Sequence, residues 1–325
     1  MPIGMIGLGN MGTAVAAQIA ANGSAVLGWE HHLEVVDEIN TTGKNSRFLP
    51  DISLPKNLQA TQNLSDIFEV CPTIFVAIPT VFFRPVLEAF TGVSGRLFVN
   101  LAKGMDPATL LTAYQTLCTI FPDNGAVQLS GPSIANEFAR GQPTVVMVAG
   151  PEMGDLLRVA QLVETDTFRV RFSDDVAGVE LGGILKNIYA IGLGLFDGLG
   201  IQSINFRASY LTLALEEMAR IGSALGARQE TFLYLAGMGD LLATSLSAHS
   251  HNRRLGEWMA KGLPLAEVKQ KMGVLPEGYN TLKIALYLAE KHHRAMPLAK
   301  GLWDVLHGRL LAHHFVRTFI RDFVE

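Results

Sequence analysis

The chain has 325 residues, of which 49% are apolar and 17% charged, and a formal net charge of −4. That length allows two ordinary domains, and the apolar share excludes a disordered chain. The mild acidity gives no overall attraction for nucleic acid or anionic membrane, so neither is expected as a partner.

The opening MPIGMIGLG carries no basic segment ahead of its apolar run, so a signal peptide is not expected. IGMIG reads as a strand, and MGTAVAAQIAANG has helical spacing that ends in an Asn-Gly stop. SAVLGW predicts a second strand and LEVVDEINTT a second helix. GKNSRFLPDISLPKN, residues 43–57, is a proline-containing excursion. The runs TIFVAI, RLFVNL, AVQLS, TVVMVAG and TFRVRF predict further strands, with helical patterns such as PATLLTAYQTLC between several of them. Strands alternating with helices imply an α/β domain with a doubly wound, mostly parallel sheet.

After about Asp174 the strand pattern stops. GVELGGILKNIYAIGLGLF, RASYLTLALEEMARIGSAL, AEVKQKM, EGYNTLKIALYLAEKHH and LAKGLWDVLHGRLL all carry helical periodicity. The expectation is an α/β domain over residues 1–175 and an all-helical domain over residues 176–325. The most apolar stretch, residues 179–201, is long enough to suggest a membrane span. Glu180, Lys186, Asn187 and Asp197 interrupt it, so a buried core helix is expected instead of membrane insertion. The two cysteines, Cys71 and Cys118, lack metal or redox spacing and read as buried fillers. Without a disulfide framework, the chain suits a reducing cytoplasm.

Gly7-Leu8-Gly9-Asn10-Met11-Gly12 is a G-x-G-x-x-G between a strand and a helix. In that context it predicts a dinucleotide site: Gly7 for a tight turn, Gly9 for close approach of a pyrophosphate, and Gly12 for strand–helix packing. The bland alternative is a plain strand–helix turn. Glu30 follows the second strand, where a carboxylate accepts both ribose hydroxyls of NAD and repels a 2′-phosphate. NAD is therefore favoured. NADP is left open by His31 and His32, because a protonated histidine can partner a phosphate. A solvated charge at a strand end is the alternative for Glu30.

Lys186 sits in the apolar helix among Ile184, Leu185 and Ile188. Desolvation there would lower its preference for the charged form and suit it to proton transfer. The alternative is a lysine whose head snorkels to water. Asn187 beside it has the chemistry to orient a hydroxyl. Lys103 lies just past a strand end, where open α/β sheets bind ligands. Asp240 and Thr244 are four apart, on one face if their segment is helical. Asp240 then suits a lysine ammonium or a substrate hydroxyl, or is simply a helix-start charge. SAHSHNRRLGEW, residues 247–258, concentrates His249, His251, Asn252, Arg253 and Arg254. His249 and His251 have no carboxylate or cysteine beside them, so no metal is expected. Two arginines without interleaved aromatics do not make a nucleic-acid surface. A cradle for a small anion at a helix start is favoured over a solvated basic face.

Several motifs together resemble one family. GLGNMGTAVA, NSRFLPDISLPKNLQAT, NLAKGMDP, LSGPSIANEFARGQPT, FSDDVAGVELGGILKNIYAIGLGLFDGLG, LAGMGDLLATS, HNRRLG and LPEGYNT occur in the order found in the NAD(P)-dependent glycerol-3-phosphate dehydrogenases. These are 6-phosphogluconate dehydrogenase-like two-domain oxidoreductases. The resemblance implies a Rossmann domain followed by a helical domain, and a cytoplasmic homodimer. It implies interconversion of dihydroxyacetone phosphate and sn-glycerol 3-phosphate at the head of phospholipid synthesis, so the substrate would be a small phosphorylated compound. It makes Lys186 the proton donor and acceptor. Lys103 would meet substrate and cofactor, with Gly131, Ser133, Asn187, Asp240, Thr244, Ser250, His251 and Asn252 around the substrate. Asn10, Met11, Ala135, Arg253, Leu275 and Glu277 would join the glycine loop, Glu30 and His31 around the cofactor.

Two departures bear on the substrate. The family usually reads Arg-Asn-Arg-Arg where this chain has His251-Asn252-Arg253-Arg254. Arginine grips a phosphate bidentately, whereas histidine offers one donor per nitrogen and is cationic only when protonated. Ile204 and Leu213 also stand where the family carries Asp and Arg, although Asn205-Phe206-Arg207 is kept. A related dehydrogenase of another hydroxy or keto compound is thus the second reading. A non-catalytic nucleotide sensor is the third, distinguished by cofactor binding without turnover.

Overall fold

Strand β1 (Ile3–Ile6) is buried along its whole length and turns at Gly7 toward helix α1 (Asn10–Ala21). The computed structural model describes residues 1–247 and 250–322. The chain groups into two units, Met1–Glu180 and Leu181–Glu325.

In the first unit β2 (Val26–Trp29), α2 (Leu33–Thr42), β3 (Leu58–Thr61) and α3 (Leu64–Val70) follow α1. Then come β4 (Thr73–Val76), α4 (Phe83–Leu87), β5 (Leu97–Asn100), α5 (Ala113–Ile120), β6 (Gly125–Ser130), α6 (Ala135–Phe138), β7 (Thr144–Ala149), α7 (Met153–Val163) and β8 (Phe168–Ser173). The sheet runs β3-β2-β1-β4-β5-β6-β7-β8. Every pairing is parallel except β6 with β7. Strand order reverses beside β1, and crevices at such switch points are where open sheets bind ligands. Alternate strand residues feed opposite faces. Ile3, Met5 and Phe75 join the cluster that includes Val15 and Ile19 of α1, whereas Ile6, Ile74 and Val76 pack with Ile67 and Phe68 of α3.

Three local expectations change. PATLLTAYQTLC is not one helix: α5 begins only at Ala113, behind a capping box of Thr112 and Gln115. Ahead of it, the Asp106 carboxylate accepts from the Ala108 backbone N–H and the Thr109 hydroxyl, and Leu110 takes φ +63°. These side-chain bonds compete with the helix and hold a turn. β3 and α3 were not anticipated: β3 sets exposed Gln59 between buried Leu58 and Ala60 instead of an apolar run, and α3 spans only seven residues. Helix α7 was likewise missed, although its buried residues Leu156, Val159, Ala160 and Val163 follow helical spacing.

In the second unit α8 (Val176–Gly198), which begins in the first, is followed by α9 (Ile204–Ala224) and a π-helical turn at Leu235–Gly239. Then come α10 (Asp240–Leu246), α11 (His251–Ala260), α12 (Leu265–Met272), α13 (Glu277–Lys291), α14 (Pro297–Leu306) and α15 (Ala312–Asp322). The apolar window of α8 is long enough to cross a membrane but is 89% buried within the protein. Helices α8 and α11 meet at glycines. A β-carbon on Gly194 would fall on the Arg253 carbonyl oxygen, and one on Gly256 on the Ile191 carbonyl oxygen.

Candidate active site

The first unit presents a glycine turn at the end of β1. Gly7 has φ +98°, a left-handed conformation that glycine adopts without strain. A β-carbon on Gly12 would fall on the Gly7 carbonyl oxygen, so α1 starts in direct contact with the turn. A β-carbon on Gly9 would meet nothing within 4 Å, so backbone there is open to approach. Gly9 caps α1 with no side chain, leaving first-turn N–H groups for an anion. The residues fit a dinucleotide pyrophosphate. Met11 is partly buried against the core.

The proline-containing excursion folds onto this turn. Asn45 is fully buried and its Nδ2 donates to the Leu8 carbonyl (2.9 Å) and the Thr13 hydroxyl (2.8 Å). Asn10 Nδ2 donates to the Phe48 carbonyl at 2.7 Å and to Asn136 at 2.8 Å. Sequence reasoning missed Asn45; its signal was an amide just after a helix-ending Gly43 in an otherwise undefined loop. At the end of β2, Glu30 is only 3% exposed. Its Oε1 accepts from the His32 backbone N–H and lies 2.9 Å from His31 Nδ1 and 2.7 Å from His32 Nδ1.

Beyond β5, the Asn100 side chain bonds the Ala102 N–H and carbonyl and donates to Gln128 at 2.6 Å. That amide clamp fixes the segment carrying Lys103. Lys103 Nζ donates to the Gly131 carbonyl at 3.1 Å, and Ser133 Oγ donates to the same oxygen at 3.0 Å. Gly131 has φ +121°, and buried Ala135 opens α6. Lys103, Gly131 and Ser133 are thus one group at the carboxyl ends of β5 and β6.

In the second unit Lys186 of α8 donates to the Asp240 carboxylate and, at 2.8 Å, to the Thr244 hydroxyl. The lysine side chain is 12% exposed and the aspartate 2%. Asp240 and Thr244 share a face of α10, as their spacing predicts. Of the partners open to Asp240, the structure places the Lys186 ammonium against its carboxylate. The π-helical turn just ahead of Asp240 sets this meeting. A β-carbon on Gly182 would stand 2.5 Å from the Ala236 carbonyl oxygen, and one on Gly237 2.5 Å from the Phe232 Cα. Glycine at 182 lets α8 lie close to the turn, and glycine at 237 lets the turn fold back on the Phe232 backbone.

Asn187 and Asn252 are joined at 3.1 Å, and Asn252 Oδ1 accepts from the Gly278 N–H at 3.1 Å. This chain ties α8, the start of α11 and the start of α13, where Glu277 is half-buried next to the half-buried Leu275. Ser250 caps α11 by accepting from the Arg253 N–H, and His251 is exposed at its first position. His249 lies outside the described residues. Arg253 spends Nε and Nη2 on Asp197 (2.9 and 2.6 Å) and Nη1 on the Ser245 and Ser247 carbonyls. Asp197 also receives Arg207 at 2.6 Å. The position the structure gives Arg253 is that of a brace holding the end of α10.

Glu180 and Glu217 are buried carboxyls outside these groups. Glu180 accepts from the Tyr114 N–H at 2.7 Å, and burial pushes its carboxyl up to about 7 against its hydrogen bonds. Burial likewise pushes Glu217 up to about 7, although it accepts from the Leu298 and Ala299 N–H groups and the Tyr189 hydroxyl.

Comparison with known proteins follows the same division. Residues 2–155 match the family described as NAD-dependent glycerol-3-phosphate dehydrogenase N-terminus, and residues 175–317 its C-terminus. Glycerol-3-phosphate dehydrogenase [NAD(P)+] of Lysinibacillus sphaericus is 39% identical over 93% of this chain and 90% of that protein. The corresponding protein of Bacillus cytotoxicus is 40% identical over 94% and 90%. Among solved structures, the glycerol-3-phosphate dehydrogenase of Coxiella burnetii superposes with a TM-score of 0.92 at 32% identity, covering 98% of both chains. That of Saccharomyces cerevisiae gives 0.83 at 25% identity, covering 97% and 98%.

Proposed function

The chain belongs to the NAD(P)-dependent glycerol-3-phosphate dehydrogenases, and from that membership we propose which of its residues carry the reaction. It is an oxidoreductase that interconverts dihydroxyacetone phosphate and sn-glycerol 3-phosphate with a nicotinamide cofactor. When bound, the cofactor supplies or takes up the hydride.

Lys186 delivers a proton to the substrate's carbonyl oxygen in reduction and takes it back in oxidation. The supporting observation is its position, nearly out of solvent and fixed by Asp240 and Thr244. A preorganised cation also stabilises the negative charge that grows on that oxygen. Lys103 adds a second positive charge, and Gly131 and Ser133 shape the substrate's surroundings. Asn187 and Asn252 orient hydroxyls, while Ser250 and His251 receive the phosphate at the start of α11. Gly7, Gly9, Asn10, Met11 and Gly12 hold the pyrophosphate. Ala135, Arg253, Leu275 and Glu277 are further cofactor residues. Glu30, assisted by His31, takes the ribose hydroxyls and favours NAD over NADP. The family resemblance further supports a cytoplasmic homodimer.

The test mixes purified protein with dihydroxyacetone phosphate and either NADH or NADPH. Absorbance at the reduced-cofactor band should fall, faster with NADH. Silence with both cofactors overturns the substrate, and faster loss with NADPH overturns the reading of Glu30. His251 favours one second reading, a dehydrogenase of an unphosphorylated keto compound. Greater kcat/KM for such a compound in a substrate panel would establish it.

A further inference from the structure

We propose that Glu30, His31 and His32 form a binding site for one divalent first-row transition ion, with zinc as the fitting species. Three donor atoms converge at the end of β2: Glu30 Oε1, His31 Nδ1 and His32 Nδ1, all within 4.8 Å of one another. Both imidazole nitrogens point at the same carboxylate oxygen, at 2.9 and 2.7 Å, and the two rings lie only 3.6 Å apart between centroids.

Ligand atoms about 2.0–2.2 Å from a tetrahedral zinc stand about 3.3–3.6 Å from each other. The two nitrogens, at 2.9 and 2.7 Å from Oε1, would need to open by only about half an ångström to share an ion. An ion would take the place of the His32 Nδ1 hydrogen bond to Oε1, with both imidazoles neutral as ligands. The other carboxylate oxygen has no hydrogen-bond partner among the described residues and is available as a second ligand atom. Two imidazoles and one carboxylate are a donor set that suits zinc, cobalt or nickel. Magnesium and calcium prefer sites built from oxygen.

Backbone bonds anchor the segment that carries these side chains. Glu30 N–H donates to the Thr61 carbonyl at 3.1 Å, and the His31 carbonyl accepts from Gln62 at 2.9 Å. Trp29 lies against His31 and Phe48 against His32. His31 is 65% exposed, so an ion has a path from solvent, while Glu30 is nearly buried at the floor. Competition with the cofactor rests on the reading of Glu30 as the ribose acceptor: one carboxylate cannot serve both ligands. Zinc binding itself does not depend on that reading.

The experiment is calorimetric titration of the chelator-treated full chain with zinc chloride, repeated with magnesium chloride and with saturating NADH. One zinc per chain is expected at this site, with magnesium silent. His32→Ala and Glu30→Gln should each weaken it at least about tenfold, a scale set by losses at metal sites. Metal-free melting curves confirm that both variants fold. An unchanged zinc isotherm in both folded variants overturns the site and assigns the ion to another histidine cluster. Equal binding of magnesium overturns the choice of ion. NADH should weaken zinc binding. If the variants lose zinc but NADH has no effect, the metal site stands and the reading of Glu30 as ribose acceptor falls.

Discussion

The ammonium of Lys186 and the carboxylate of Asp240 are hydrogen-bonded partners in a nearly dry setting, 12% and 2% exposed. Removing one member of such a pair strands the other, at a cost of about 3–5 kcal/mol. Lys186→Met is therefore expected to cut turnover at least about 100-fold while NADH binding, followed by fluorescence, is spared. Asp240→Asn keeps the shape but should lower both stability and kcat. Normal kcat in Lys186→Met would remove the lysine from the chemistry.

Gly182 is expected to act by distance. An alanine there must displace the Ala236 carbonyl, moving the π-helical turn that leads into Asp240. Gly182→Ala should lose about 1–3 kcal/mol of stability, the usual cost of forcing atoms into a packed site. It should also lower kcat with little change in KM for cofactor. Denaturant unfolding and the kcat-against-KM split measure the two effects. A stability loss with unchanged kcat would show that the spacing is not catalytic.

His251→Arg places a bidentate donor at the start of α11. KM for dihydroxyacetone phosphate should fall about tenfold, equivalent to about 1.4 kcal/mol. Steady-state kinetics decide this, and an unchanged KM would take His251 away from the phosphate.

Asp197 pairs with both Arg207 and Arg253. Asp197→Asn should cost about 2 kcal/mol, between the values for exposed and buried pairs. Because Arg253 also holds the Ser245 and Ser247 carbonyls, KM for substrate should rise as that loop loosens. Urea midpoints and KM together test the brace.

Glu217 makes stability depend on pH in an unusual direction. Its folded carboxyl titrates near 7, above the ordinary carboxylate value of 4.5, so the folded chain binds the proton more tightly. Its contribution is greatest below about pH 4.5, declines between 4.5 and 7, and is level above 7. Glu217→Gln removes that titration, and the fall in stability between pH 5 and 7 should flatten by up to about 1.4 kcal/mol per unit. Urea unfolding across that range checks it; identical slopes would show that Glu217 does not titrate there.

Much of the fold could be read because its central strands are short but unbroken apolar runs and most of its helices repeat at regular spacing. β1, β4 and β5 are buried on both faces, so nearly every residue is apolar and none is ambiguous. The segment before α5 was misread because Asp106 outcompetes the helix with side-chain bonds, which periodicity does not register. The same limit applies to the site. Lys186 was conspicuous as a charge in an apolar helix, and Asp240 with Thr244 by spacing. Their meeting depends on the π-helical turn and on Gly182 and Gly237, whose role appears only once backbones are placed. For Arg253, expected among the cofactor residues, the pairing with Asp197, 56 residues earlier in the chain, is invisible in one dimension.

The glycines between α8 and α11 carry a consequence for how this lineage can drift. Gly194 faces the carbonyl of Arg253, and Gly256 faces that of Ile191, so each helix needs the other's bare backbone. A clash with main chain has no remedy by trimming a neighbour, since every residue has the same carbonyl. Saturation mutagenesis should therefore find both positions intolerant even in paired substitutions, while the buried apolar residues around them accept volume-conserving exchanges.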